Sequence, residues 1–122
     1  MATILVIEDT LTQAEIMTGA LRQAGFSTIA VTSSEDAKLK IDQQKPDAIV
    51  LDVVLPGASG FEFCRELKGN PNTRSIPVIM CSTKDGEMDR FWGIKQGADS
   101  YLTKPINTEE LVRTVKLMVS AV

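Results

Sequence analysis

Polar side chains follow four short apolar runs of this chain, each at the point where the run ends. Glu8 and Asp9 follow the first run, Asp52 the second, Ser82 the third and Lys104 the fourth. If the runs are neighbouring parallel strands, their carboxyl ends meet at one edge of a sheet, which is where open α/β folds bind ligands. The sequence therefore predicts one site that combines three carboxylates, a hydroxyl and an ammonium.

The three carboxylates predict a metal site. Acids at such short range repel one another unless a cation lies among them, and an all-oxygen ligand set suits Mg²⁺, or Mn²⁺. Asp9 and Asp52 are the expected direct ligands, with Glu8 bound through water. Lys104 would add a fixed positive charge.

The same groups are suited to phosphoryl transfer. This reaction mainly needs in-line positioning and neutralisation of charge on the phosphoryl oxygens. Asp52 stands alone after its run, whereas Glu8 and Asp9 form a pair suited to holding the metal. We therefore predict Asp52 as the nucleophile, forming an aspartyl phosphate, with Ser82 and Lys104 as the groups that bind the phosphoryl oxygens.

Length and composition limit the classes of function. The 122 residues are expected to form one domain, 1–122, with 43% hydrophobic and 24% charged residues and a net charge of −3. This balance argues against direct binding to nucleic acid or anionic membranes. The apolar runs are too short to insert into a membrane, and the N-terminus lacks a basic signal-peptide start, so we expect a cytoplasmic protein.

Histidine is absent and cysteine is scarce. The lack of histidine excludes a Ser-His or Cys-His catalytic pair in this chain. Cys64 and Cys81 are too few and too widely separated for a zinc framework, so we predict two buried, reduced thiols.

Short β-branched runs alternate five times with segments of helical period. This pattern predicts a mainly parallel sheet with helices on both faces. The predicted strands are Thr3–Ile7, Ser27–Val31, Ala48–Leu51, Pro77–Cys81 and Ser100–Leu102. The predicted helices are Leu11–Ala24, Ser34–Gln44, Gly60–Lys68, Gly86–Gln96 and Thr108–Ser120.

The ends of several helices carry their own signals. A side-chain acceptor precedes an acid by three residues at Thr12, Ser33 and Asn107, which predicts capping boxes. Gly25 and Gly97 follow the last periodic residue of their helices, as C-terminal stops do. With right-handed crossovers, the expected fold is a doubly wound (βα)₅ three-layer sandwich with strand order 2-1-3-4-5, of the flavodoxin-like type.

These residues together resemble the receiver domain of two-component response regulators, over essentially the whole chain. Glu8-Asp9 resembles the acidic pair of that family, and the segment from Asp52 to Pro56, with Gly60, resembles its phosphoacceptor loop. Ser82 stands at the hydroxyl position, Tyr101 at the switch aromatic and Lys104-Pro105 at the Lys-Pro motif. The segment 90–99 is similar to receivers of chemotaxis-like systems that govern pilus motility.

The resemblance implies a mechanism and partners. It implies the Val54 main-chain carbonyl as a metal ligand, a cis Lys104–Pro105 bond, and a histidine kinase or phosphotransfer protein as the phosphodonor. Thr83 replaces the usual Ala or Gly and is expected to slow entry of small phosphodonors, and Val54 and Lys84 occupy positions that tune the phosphate lifetime.

Phosphorylation is expected to act as a switch. It adds about −1.5 to −2 charges, towards which Ser82 and Lys104 should move, so that Tyr101, otherwise half-buried, can rotate inward. The downstream protein target is expected on the face formed by the fourth helix, fifth strand and fifth helix. In the fourth helix we expect Phe91 and Ile94 to face the sheet, with Met88 and Trp92 at the rim.

Three other functions remain open. A phosphatase of the haloacid dehalogenase type would need paired acids around its nucleophile and a substrate cap. A flavodoxin-like FMN module would need a phosphate loop after the first strand, where Glu8-Asp9-Thr10-Leu11 would instead repel phosphate. A phosphorylation-independent scaffold would have no use for the intact acidic and basic site residues.

Overall fold

The computed structural model describes residues 2–57, 59–84 and 86–120. Within them, five strands alternate with five helices. The strands are β1 (Thr3–Ile7), β2 (Ser27–Val31), β3 (Ala48–Asp52), β4 (Val78–Ser82) and β5 (Ser100–Thr103). The helices are α1 (Leu11–Gln23), α2 (Ser34–Gln43), α3 (Gly60–Gly69), α4 (Glu87–Lys95) and α5 (Thr108–Ser120).

The five strands form one parallel sheet in the order β2-β1-β3-β4-β5. All residues of β3 and β4 are buried, which explains their continuous apolar sequence, because both faces of the sheet are covered. The predicted fold class and strand order are confirmed.

Alternate residues of β1, β3, β4 and β5 point into two separate cores, whereas β2 contributes to only one of them. One core lies under α2, α3 and the loop before β5, and includes Leu5, Leu51, Met80 and Phe63. The other lies under α1 and α5, and includes Val6, Val50, Ile79 and Leu111. The period-two alternation of the strands therefore anchors helices on both faces.

The element bounds differ from the predicted ones by at most one residue at each end. The informative difference is that β3 continues through Asp52 and β4 through Ser82. Asp52 is in register with Cys81, and Ser82 with Thr103. Two site residues are therefore held by the sheet itself and not by a loop, which fixes their backbone.

Two of the three predicted capping boxes supply a side-chain cap. Ser33 Oγ accepts the Asp36 N–H at 3.2 Å, and Asn107 Oδ1 accepts the Glu110 N–H at 3.0 Å. The prediction at Thr12 is wrong, because α1 begins at Leu11 and its N-cap, Thr10, makes no side-chain cap bond.

The predicted helix stops at two glycines are confirmed. Gly25 (φ +97°) and Gly97 (φ +106°) adopt the left-handed backbone that ends α1 and α4.

Lys68 connects α3 with the end of the sheet opposite the candidate site. Its Nζ donates to the carbonyls of Arg74 (3.2 Å) and Ile76 (2.9 Å) and to Asp99 Oδ2 (2.9 Å). The same carboxylate oxygen accepts the Val78 N–H at 2.8 Å. One ammonium therefore joins a helix, a loop and the segment before β5.

Both cysteines are buried free thiols, as predicted. Burial raises the pKa of Cys64 to about 11 and that of Cys81 to about 12, so both stay protonated. None of the helices in the described ranges has the length and apolarity that a bilayer crossing requires.

Candidate functional site

The candidate site lies at the carboxyl ends of four adjacent strands. Glu8 and Asp9 follow β1, Asp52 ends β3, Ser82 ends β4 and Lys104 follows β5. The parallel register brings these ends together, since Ile7 is paired with Leu51 across β1 and β3. The fold thus assembles at one edge groups that are far apart in the sequence.

The three acids form a compact oxygen cluster. One carboxylate oxygen from each of Glu8, Asp9 and Asp52 lies within 4.8 Å of the others. Glu8 is fully buried and Asp52 is 6% exposed, whereas Asp9 is exposed to solvent. A hard divalent cation that keeps part of its water shell fits this donor set, with Asp9 on the open side.

Lys104 is the cation that the site already contains. Its Nζ lies 2.6 Å from Glu8 Oε1 and 3.3 Å from Asp52 Oδ2, and its side chain is 9% exposed. Burial alone would lower the pKa of this ammonium, but the bond to Glu8 and the attraction of Asp52 raise it. Lys104 therefore remains charged across the physiological range. The Lys104–Pro105 bond is cis, as the resemblance implied.

The pKa values of the two buried acids, Asp52 and Glu8, shift in opposite directions. Burial and the negative charge of Glu8 raise the pKa of Asp52 from 3.8 to about 6, despite the nearby ammonium. Burial would also raise the pKa of Glu8, but bonds from Lys104 and from the Thr10 N–H lower it. Glu8 is therefore the main partner of Lys104. Of these two buried acids, Asp52 has the negative charge that neighbouring groups compensate less.

A close backbone contact shapes the loop after Asp52. The Val54 N–H donates to Asp52 Oδ1 at 3.3 Å, and the Gly60 N–H donates to the Val53 carbonyl at 2.7 Å. A Cβ at position 60 would lie 2.2 Å from the Asp52 carbonyl oxygen. Only glycine lets α3 begin against the end of β3, a role that its place in the motif did not reveal.

Ser82 and Tyr101 are connected through the main chain of Lys84. The Lys84 N–H donates to Ser82 Oγ at 3.0 Å, and the Tyr101 hydroxyl donates to the Lys84 carbonyl at 2.7 Å. Tyr101 is buried, not half-buried as expected, because this bond holds its ring inside the protein. Beside this chain of contacts, the Thr83 and Lys84 side chains are exposed.

The outer surface of α4 carries four exposed apolar side chains among its charged ones. Met88, Phe91, Trp92 and Ile94 are all between 47% and 77% exposed. The prediction that Phe91 and Ile94 face the sheet is therefore wrong, since Gly93 is the buried position of this helix. The four side chains instead point to solvent, and Trp92 lines a shallow cleft with Ser59 and Phe61 at the start of α3.

Comparisons with known proteins agree with this geometry. The response regulator receiver domain family matches residues 4–116. Protein PilH of Pseudomonas aeruginosa is 38% identical over 98% of this chain and 99% of its own length. The phosphate regulon transcriptional regulatory protein PhoB of Escherichia coli is 40% identical over 93% of this chain, which spans about half (49%) of PhoB.

A solved structure shows the same fold over its full length. The crystal structure of a putative response regulator from Chloroflexus aurantiacus superposes with a TM-score of 0.93 at 34% identity, covering 98% of both chains. The match to PilH supports the predicted resemblance to the pilus-motility subgroup. With the acidic cluster, the buried lysine and the fold in place, the chain belongs to the response regulator receiver domain family.

Proposed function

We propose that this receiver accepts a phosphoryl group on Asp52 from a histidine kinase or phosphotransfer protein, in a reaction that depends on Mg²⁺ or Mn²⁺. The observation that carries the proposal is the position of Asp52, beside two further acids and a buried ammonium at one sheet edge. A structural acid could be balanced by Lys104 alone, so the surplus of carboxylate favours a cation-dependent reaction.

The proposed metal ligands are Asp9, Asp52 and the Val54 main-chain carbonyl, with Glu8 bound through water. The contacts of Glu8 support this assignment, because Oε1 is bonded to Lys104 and Oε2 accepts the Thr10 N–H. Asp9 is exposed, and one of its carboxylate oxygens lies within 4.8 Å of an oxygen of each of the other two acids. When bound, the cation would neutralise charge on the transferred phosphoryl group.

In the proposed reaction, an ionised oxygen of Asp52 attacks phosphorus while the bond from phosphorus to the donor nitrogen breaks. With a pKa of about 6, Asp52 is mostly ionised at neutral pH. The Lys104 ammonium binds a phosphoryl oxygen, and the Ser82 hydroxyl donates to another while its oxygen still accepts the Lys84 N–H. The protein thus acts as a phosphoacceptor that catalyses only its own phosphorylation and the hydrolysis of the resulting acyl phosphate.

The proposed output is a change in protein contacts at the α4–β5–α5 face. Ser82 and Tyr101 are the proposed switch residues, since the main chain of Lys84 joins them. The exposed apolar side chains of α4 are suited to a downstream protein partner in the cytoplasm. A net charge of −3 argues against direct nucleic-acid binding.

The proposal is tested by phosphorylation of the purified protein. Incubation with a phosphorylated histidine phosphotransfer protein and Mg²⁺ should add one phosphoryl group by intact mass, and EDTA should prevent it. Asp52→Asn should remain unmodified, whereas the matched control Asp42→Asn, an exposed acid, should react as wild type does. Asp9→Asn should need a higher Mg²⁺ concentration than wild type to reach the same extent of phosphorylation.

Two results would contradict the proposal. Modification of Asp52→Asn at the wild-type rate would show that another residue is the nucleophile. Full binding of the output partner by Asp52→Asn, with no change on phosphorylation of wild type, would favour the phosphorylation-independent scaffold.

A further inference from the structure

Helix α4 has a glycine where its inner surface faces the sheet. Gly93 lies within the nine residues of α4, all of which the structure describes, and is the only buried one. A glycine inside a helix is less favourable than alanine because its unfolded state is more flexible. Nothing in the sequence pattern explains the choice of glycine at this position.

The ring of Tyr101 occupies the space that a side chain at position 93 would need. A Cβ built on Gly93 would lie 2.8 Å from Cδ2 and 3.0 Å from Cε2 of Tyr101, and 3.2 Å from the sulfur of Met80. Real Cβ atoms essentially never approach carbon at 2.8 Å, so an alanine would require the ring or the helix to move.

The remaining contacts hold the ring in this space. The Arg90 guanidinium lies 5.6 Å from the ring centroid, and its Nη1 donates to the Tyr101 carbonyl at 3.2 Å. The hydroxyl is bonded to the Lys84 carbonyl. Arg90 and Gly93 are three residues apart, so the same side of α4 supplies both the space that the Tyr101 ring occupies and the guanidinium that lies over the ring.

We infer that Gly93 is the positioning residue that allows the Tyr101 ring to lie inward against α4. The ring can occupy the inward position because residue 93 has no side chain, and there its hydroxyl contacts the Lys84 carbonyl. The inference extends the proposed function, since Tyr101 is the proposed switch residue. The absence of a side chain at residue 93 would then decide how readily the Tyr101 ring leaves this inward position.

The test uses Gly93→Ala, with Gly19→Ala as the matched control. Gly19 lies inside α1, where an added Cβ meets no atom within 4 Å. Tyr101 is the single tyrosine of the chain, so the formation of nitrotyrosine with tetranitromethane, read by its absorbance, reports on its ring alone. A minor state of a two-state equilibrium is typically populated at about 0.1–10%, so Gly93→Ala, which should make the outward ring position dominant, should nitrate at least about tenfold faster than wild type.

Gly19→Ala should nitrate at the wild-type rate. A folded Gly93→Ala variant, verified by circular dichroism, that nitrates no faster than wild type would overturn the inference. Phosphorylation at Asp52 is measured separately by intact mass. A wild-type protein that accepts no phosphoryl group would end the proposed function, while the nitration result would still decide the role of Gly93.

A second measurement covers a variant that folds poorly. If the Tyr101 ring causes the clash, removing it should make room for alanine at position 93. Gly93→Ala should therefore lower the urea midpoint in the wild-type background and raise it in a Tyr101→Ala background. A decrease in both backgrounds, or a double variant that does not fold although Tyr101→Ala does, would contradict the inference.

Discussion

Asp52 is expected to make the metal-free protein less stable. Its carboxyl is buried next to Glu8, and its pKa rises from 3.8 to about 6 on folding. A carboxyl whose pKa is higher in the folded state is ionised more readily in the unfolded chain, so its ionisation favours unfolding. The resulting loss of stability is absent at low pH, grows as the pH rises from about 4, and is complete above about 6.

The size of this effect follows from the two pKa values. Their difference corresponds to about 3 kcal/mol, since one pKa unit is about 1.4 kcal/mol, and partial access of water reduces this to about 1–3 kcal/mol. Asp52→Asn should therefore unfold at higher urea concentration than wild type at pH 7.5 in EDTA. The advantage should shrink by about 1–2 kcal/mol at pH 4.5, where wild-type Asp52 is largely protonated in the folded protein.

Urea unfolding followed by Trp92 fluorescence at both pH values provides the measurement. Asp42→Asn is the control, because the change at an exposed carboxyl should leave the free energy of unfolding within about 0.5 kcal/mol of wild type at either pH. The change in advantage between the two pH values is the decisive quantity, because differences in packing between Asp and Asn cancel. The reasoning would be refuted if Asp52→Asn were less stable than wild type at pH 7.5. It would also be refuted if the stability difference between variant and wild type were the same at both pH values.

Further predictions concern the metal, the Asp52 loop and Lys68. Mg²⁺ at ten times its dissociation constant should raise the unfolding free energy of wild type by about 1.4 kcal/mol, and an equal gain in Asp52→Asn would contradict the ligand assignment. Gly60→Ala should give insoluble protein or abolish phosphoryl acceptance, because its Cβ would lie 2.2 Å from the Asp52 carbonyl oxygen; wild-type acceptance by a soluble variant would argue against this role. Lys68→Met should lower the unfolding free energy by about 2–4 kcal/mol, since Asp99 and two carbonyls lose their donor. The control Lys38→Met, at an exposed ion pair, should change it by less than about 1 kcal/mol in the same urea assay.

The fold was predictable from the sequence because its two periodicities are strong. Continuous apolar runs indicated strands buried on both faces, and glycines such as Gly25 and Gly97 marked helix ends. The capping prediction at Thr12 was wrong because the same local pattern can occur inside a helix. Here α1 begins at Leu11 with Thr10 as its N-cap, so Thr12 already lies inside the helix.

The chemical site was predictable for a different reason. Each of its groups follows a strand, and a parallel sheet must bring such positions to one edge. The sequence did not reveal which acid Lys104 would prefer. That preference depends on a difference in distance of less than 1 Å, since Glu8 Oε1 lies 2.6 Å and Asp52 Oδ2 lies 3.3 Å from the Lys104 Nζ.

The surface of α4 was the least predictable region. Helical periodicity placed Phe91 and Ile94 inside because large apolar residues usually define the buried face. The buried position is Gly93 instead, because the Tyr101 ring already fills that space from β5. A contact of this kind, between residues of different elements, leaves no periodic signal in either element.

The connection between Ser82 and Tyr101 depends on the main chain of Lys84 and not on its side chain. It uses only the amide hydrogen and the carbonyl oxygen of residue 84, while the lysine side chain is exposed. Every residue type except proline, which lacks the amide hydrogen, can supply both bonds. Under the proposed function, mutations at this position would therefore change how fast the acyl phosphate decays and leave the contact between Ser82 and Tyr101 intact, so duration and message could evolve independently.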